Sequence, residues 1–166
     1  GDFGLRLGVS GTYFETKALQ RAELWDYDYQ FREGRPIEAI WGLESLGFFM
    51  SDEDIANSPV QEAWGEVVPG DIKYKDQNGD GIIDTRDEVF LGRAGWFGAP
   101  LTLGVNLTAT WRSFTIFAQG IGRFGAYGLK NNSYFWISGE EKYSVIVRDR
   151  WTPETAETAT FPRLTT

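Results

Sequence analysis

Apolar and polar residues alternate along several stretches of this chain, with the two-residue period of a strand that has one apolar face. In the first, Phe3, Leu5, Leu7, Val9 and Tyr13 fall on one side, and Gly4, Arg6, Gly8, Ser10 and Thr12 on the other. The division is cleaner further on, where Leu101, Leu103, Val105, Leu107, Ala109 and Trp111 oppose Thr102, Gly104, Asn106, Thr108 and Thr110. After Arg112 and Ser113 it resumes, with Phe114, Ile116, Ala118 and Gly120 against Thr115, Phe117 and Gln119, which is the spacing of a tight hairpin. A weaker alternation sets Ile37, Ala39, Trp41 and Leu43 against Glu38, Ile40, Gly42 and Glu44, and predicts a further strand between Pro36 and Phe48.

Half-apolar strands suit either a soluble sandwich or the wall of a membrane barrel, and periodicity alone leaves both open. Three features favour the wall: strands long enough to cross a bilayer, which takes about 9–11 residues; a second face of Gly, Thr and Asn; and Trp111 and Phe114 flanking the turn as an interfacial girdle does. Together they set a barrel wall level with a sandwich; on the wall reading the fold is all-β, with antiparallel up-and-down strands forming part of a transmembrane β-barrel wall. Long Gly-, Asp- and Pro-rich segments, 49–98 and 126–166, become extracellular loops on one side, with the Arg112-Ser113 turn on the other. The stretch from Glu15 to Arg35 departs from this scheme, being long for a connection on the short-turn side. Any core of buried residues is expected within the two long segments.

Charge and missing residue types narrow the chemistry. Sixteen Lys and Arg against 24 Asp and Glu give a net charge of -8, so the chain has no cationic surface to release counterions from a nucleic acid. Without Cys or His it lacks thiol nucleophiles, thiolate metal sites and the commonest general base. An enzyme is not expected. Carboxylate pairs are plentiful in so acidic a chain, and glycoside hydrolysis requires two at a defined separation.

One loop has chemistry of its own. In "DQNGDGIIDTRD", residues 76–87, Asp76, Asn78, Asp80, the Ile82 carbonyl, Asp84 and Asp87 stand at positions 1, 3, 5, 7, 9 and 12 of a calcium loop, with Gly81 at the sharp turn. Oxygen ligands at alternate positions wrap a hard cation, and crowded carboxylates repel one another without one. Asp87 stands where an EF-hand has Glu, and Pro69 and Gly70 sit where an entering helix would run. The expectation is an isolated structural Ca2+ loop of low affinity that fixes Ile72 and Tyr74 before it and Val89, Phe90 and Leu91 after it, with Ile83 packed inward. An Asx-rich turn capped by its own side chains is the plainer alternative.

The order of segments resembles a known family. "GRPIEAIWGLESLGFFMSDEDIANSP", "PGDIKYKDQNGDGIIDTRDEVFLG", "PLTLGVNLTATWRSFTIFAQGIGRFG" and "RDRWTPETAETATFPRL" are similar, in sequence and spacing, to the C-terminal third of SusC/RagA-type TonB-dependent outer-membrane transporters. The resemblance implies a segment, residues 1–166, of a 22-stranded plugged barrel in the bacterial outer membrane. It also implies import of oligosaccharides or peptides, energised by TonB through a plug region not included here, with a SusD-like surface lipoprotein over the extracellular mouth and lipid around the wall. The Asp76–Asp87 loop is then extracellular. Tyr134, Trp136 and Trp151 are candidates for stacking on a sugar or a partner, against the plainer reading that they fill a loop core. Segment 140–150 reads as either a short helix or a strand. A secreted, calcium-stabilised β module that binds carbohydrate is the alternative, and it leaves the strand lengths unexplained.

Overall fold

The computed structural model describes residues 2–61, 65–132, 134–135 and 143–164. These fall into two compact units. One comprises Gly1–Ala22, Arg32–Ile40 and Gly92–Gly128, and the other Glu23–Phe31, Trp41–Leu91 and Leu129–Thr166.

The first unit is built on three strands of eleven residues each: β1 (Phe3–Tyr13), β6 (Leu101–Trp111) and β7 (Phe114–Phe124). They form one antiparallel sheet in the order β1-β6-β7. The pairing runs without a shift from Phe3↔Trp111 to Tyr13↔Leu101 and from Leu101↔Phe124 to Trp111↔Phe114. That register gathers the odd positions of β1 and β6 and the even positions of β7 on one face. Across its middle the row reads Leu7, Leu107, Ala118, and at its end Phe3, Trp111, Phe114. This face is apolar or glycine at every position, and its side chains stand open, Val9 being 73% exposed. The opposite face carries Arg6, Ser10, Thr102, Asn106, Thr108, Gln119 and Arg123, together with Phe117 and Ile121.

Glycines on the polar face make room for neighbouring polar groups. A Cβ on Gly8 would lie 2.5 Å from Asn106 Oδ1, and one on Gly104 would lie 2.6 Å from Ser10 Oγ. The hairpin closes through Arg112, whose φ of 52° gives the twist that a two-residue turn between right-twisted strands needs.

β1 pairs directly with β6, so the whole of 14–100 is one insertion between neighbouring wall strands. It leaves and returns at the end of the sheet where β7 also finishes. The long Glu15–Arg35 stretch is therefore the start of that insertion and not a short-side turn. The single strand predicted between Pro36 and Phe48 is corrected by the structure: it is two short strands, β2 (Ala39–Gly42) and β3 (Ser45–Phe48), and neither joins the wall. The chain breaks between them at Leu43 and Glu44, and each strand finds its own partner further along. β2 pairs with β5 (Val89–Arg93), and β3 pairs antiparallel with β4 (Ile72–Tyr74).

The second unit packs short elements around a few large side chains. Helix α1 (Asp52–Ala56) starts at Ser51, whose hydroxyl accepts the Asp54 N–H at 3.2 Å. Asp54 then binds Lys73 of β4 at 2.7 Å. Arg163 reaches back to Asp71, with Nε 2.7 Å from Oδ1. Phe49 and Ile83 are almost fully buried and Trp151 nearly so. Residues 145–149 of the undecided 140–150 segment form a 3-10 helix.

Candidate functional site

β4 delivers the chain into the 76–87 loop and β5 receives it, so the loop is held at both ends by paired strands. Between those ends it is organised by its own acidic and amide side chains. Asp76 accepts the N–H groups of Gly79 at 2.6 Å and Gly81 at 2.8 Å. Asn78 Oδ1 accepts the Asp80 N–H at 2.9 Å, and Asp80 Oδ1 the Ile82 N–H at 2.9 Å. Gly79 and Gly81 take φ of 76° and 81°, in the left-handed region that only a residue without a Cβ enters freely. The loop ends in a 3-10 turn at Thr85–Asp87 with a reciprocal capping box, Asp84 and Asp87 each accepting the other end's backbone N–H.

Position 8 behaves as expected. Ile83 is buried, and its N–H donates to Val60 O at 2.7 Å while Val60 N–H donates to Gly81 O at 2.9 Å, a parallel bridge that ties the loop to the segment after α1. Asp87, at position 12, is fully buried and faces backbone, accepting from Gln77 N at 2.8 Å and Asp84 N at 2.9 Å.

The charge of the loop is met by a side chain that the sequence reading passed over. Arg86 places Nη2 3.0 Å from Asp80 Oδ2 and 2.7 Å from Asp84 Oδ2. The Arg86 hydrogen bonds and charge hold the Asp84 carboxyl below its usual range, and the Asp84 hydrogen bond, then the charges of Asp80 and Asp84, raise the guanidinium further. The signal was available, since a cation two residues after Asp84 and within a run of Asp must find one of them.

Five of the six predicted ligands are engaged by side chain: Asp80 and Asp84 meet on Arg86, and Asp76, Asn78 and Asp87 accept backbone N–H groups. Among the described residues no three Asp or Glu side chains converge as an ion would require. All the donors are hard oxygens, as Ca2+ prefers, and Arg86 stands between two of them.

Two tyrosines missed by the sequence reading back the loop. Tyr27 and Tyr29 stack with centroids 5.4 Å apart and planes 8° from parallel. The Tyr29 hydroxyl donates to Arg86 O at 2.6 Å, and Gln30 Nε2 to Thr85 O at 3.4 Å. Burial, followed by the charge of Asp87, raises the Tyr29 phenol above its ordinary value.

The aromatic candidates divide. Trp151 is buried beneath Gly70, where a Cβ would lie 2.5 Å from its ring, and so fills a loop core. Tyr134 is 47% exposed and meets Phe135 edge-on. Trp136 lies outside the described residues.

No family model matches the chain. It is similar to the TonB-dependent receptor P26 of Formosa agariphila, with 33% identity over 132 residues, which is 78% of this chain and 13% of that relative. The chain thus spans a small part of the length of the relative it matches. An apolar face and a polar face on three bilayer-length strands, with the 14–100 connection and the segment after β7 starting from the same end of the sheet, agree with that relationship. Over the matched segment the chain belongs to the TonB-dependent receptor family, whose place is the bacterial outer membrane.

Proposed function

We propose that the chain is a wall and extracellular-loop segment of a SusC-type TonB-dependent importer, a transporter and not an enzyme, which takes up oligosaccharides or peptides. The observation that carries this reading is the three-strand sheet, with an apolar face suited to lipid, a face of hydroxyls, amides and glycines suited to a watery lumen, and its long connections gathered at one end. The order of the four sequence blocks supports the SusC subtype, and with it a SusD-like lipoprotein over the loops and TonB as the source of energy. The test is uptake by cells carrying the full-length protein. Labelled oligosaccharide or peptide should accumulate, stop accumulating when the proton gradient is collapsed, and depend on a co-purifying surface lipoprotein. Accumulation indifferent to the gradient contradicts the TonB part of the reading, and transport without any lipoprotein contradicts the SusC part.

In the same reading, the 76–87 loop takes a structural Ca2+ on Asp76, Asn78, Asp80, the Ile82 carbonyl, Asp84 and Asp87. Arg86 leaves Asp80 and Asp84 when the ion enters, so ion and guanidinium compete for the same carboxylates. Calcium should raise the melting temperature of the full-length protein in detergent, and Asp76→Ala and Asp80→Ala should abolish the rise. A melting temperature indifferent to calcium and chelator leaves Arg86 as the loop's cation.

A further inference from the structure

The apolar face of the wall is unevenly filled near the hairpin turn. Its last row holds Phe3, Trp111 and Phe114, and the row before it Leu5, Ala109 and Ile116, so one small side chain stands among large ones. The result is a hollow of about 380 Å3, lined by Phe3, Ala109, Trp111, Phe114, Thr115 and Ile116. Ala109 lies on β6, the middle strand of the three, so further wall strands beside β1 and β7 leave the hollow open. A cation stands at its rim. The Arg112 guanidinium lies 5.1 Å from the centroid of the Trp111 ring, one wall of the hollow. Its ion-pair partner Asp2 has Oδ2 4.0 Å from Nε, beyond hydrogen-bond reach, and both side chains are exposed. Among the described residues Arg112 is also the one non-glycine at positive φ, in a hairpin position that Asn or Gly takes at lower cost.

We propose that this hollow and Arg112 form a seat for one phospholipid of the inner leaflet, with an acyl chain against Ala109 and the phosphate on the Arg112 guanidinium. The seat depends on the wall reading, which puts the apolar face in hydrocarbon and the Arg112-Ser113 turn on the side of short turns. Each half of the seat matches a half of the ligand. Phe3, Trp111 and Phe114 end the apolar face, and aromatic rings in that place lie at headgroup depth. Arg112, one residue further on, then reaches the depth of the phosphates. A guanidinium offers parallel N–H donors to phosphate oxygens, and a donor set that Asp2 does not occupy is open to them. Trp111 joins the two halves, since its ring walls the hollow and carries the cation.

The test uses the full-length protein in phosphatidylcholine vesicles with a trace of phosphatidylglycerol that carries a photoreactive diazirine near the glycerol end of one chain. In parallel vesicles the trace lipid is the diacylglycerol with the same chains and no phosphate. After illumination, mass spectrometry locates the adducts. Phosphatidylglycerol should label the hollow well above the row Tyr13, Leu101, Phe124 at the other end of the same face, and diacylglycerol should show no such bias. Arg112→Gln, which removes the charge, should lower phosphatidylglycerol labelling of the hollow roughly fivefold, the factor that one cation near an anionic surface gives. Ala109→Phe, which fills the hollow, should lower it as well, and Val105→Phe at mid-face should not. Equal labelling of the two ends, the same bias with diacylglycerol, or labelling that Arg112→Gln or Ala109→Phe leaves unchanged would overturn the seat while the wall stands. If neither lipid labels the apolar face anywhere, the wall reading falls and the seat with it. The comparison of lipids and ends in the wild type stands even if a variant fails to fold.

Discussion

Replacing Glu38 by Gln should be among the most damaging single changes available to this chain, because its carboxylate is fully buried and its partners are fixed. Arg93 Nε and the Thr16 hydroxyl both donate to it, and Arg93 Nη1 donates to Phe14 O at 3.2 Å. The guanidinium also lies 4.8 Å from the Phe14 ring centroid. The cluster thus joins the chain just after β1, the chain just before β2 and the end of β5. Gln keeps the shape and removes the charge, so Arg93 is left buried without a counter-ion, at a cost of about 3–5 kcal/mol, two to four orders of magnitude in the folding equilibrium. Replacing both residues together, as Glu38→Leu with Arg93→Met, should recover most of the loss, because no buried charge then remains. Burial alone pushes the Glu38 carboxyl up, but the Thr16 hydroxyl, a backbone N–H and Arg93 together leave it below its ordinary value. Its contribution is therefore complete above the unfolded Glu pKa of about 4.3 and is lost as pH falls through the lower folded value. The assay is urea unfolding of the full-length protein in detergent, at neutral pH and at pH about 3, for wild type, each single variant and the pair. A Glu38→Gln protein within about 0.5 kcal/mol of wild type at neutral pH would refute the reasoning, as would a double variant worse than either single one.

Three other predictions test separate features. Leu107→Arg, on the apolar face at mid-strand, should destabilise the barrel in lipid by about 2–4 kcal/mol, while Thr108→Arg on the opposite face should cost far less; refolding equilibria in vesicles compare the two. Gly70 has φ of 91° and lies against the Trp151 ring, so Gly70→Ala should cost about 2 kcal/mol or more and raise the accessibility of Trp151 to a fluorescence quencher. Arg112→Val puts a branched side chain at φ 52° and should cost about 1–2 kcal/mol by urea titration. Arg112→Gly should stay within about 1 kcal/mol, relief of the backbone offsetting the lost contact with the Trp111 ring at 5.1 Å.

The wall was legible in the sequence because its signal is local. β1 and β6 alternate along their length and β7 keeps one apolar face, and Arg112-Ser113 sits where a hairpin must turn. The other neighbour of β6 was not legible: β1 pairs with β6 across residues 14–100, and periodicity has no reach over that distance. The stretch from Ile37 to Leu43 misled because its alternation is genuine while its environment is not a wall. Glu38 points into a buried ion pair, and the chain breaks at Leu43 and Glu44. In the loop, spacing placed Ile83 inward, where the structure buries it. The structure adds what spacing cannot hold: Arg86 between Asp80 and Asp84, and the Tyr27–Tyr29 stack brought in from far along the chain. Trp151 follows the plainer reading of an aromatic that fills a loop core, buried with Gly70 against its ring.

The claim that organises all of this is that the β1-β6-β7 sheet faces lipid on one side and water on the other. Single cysteines at successive positions from Leu103 to Ala109 in the full-length protein, spin-labelled in native-like bilayers, test it directly. Labels at Leu103, Val105, Leu107 and Ala109 should be relaxed by oxygen dissolved in the membrane, and those at Gly104, Asn106 and Thr108 by a water-soluble reagent, with a strict two-residue period. Equal access of the water-soluble reagent to both sets would contradict the account and return the sheet to a soluble fold.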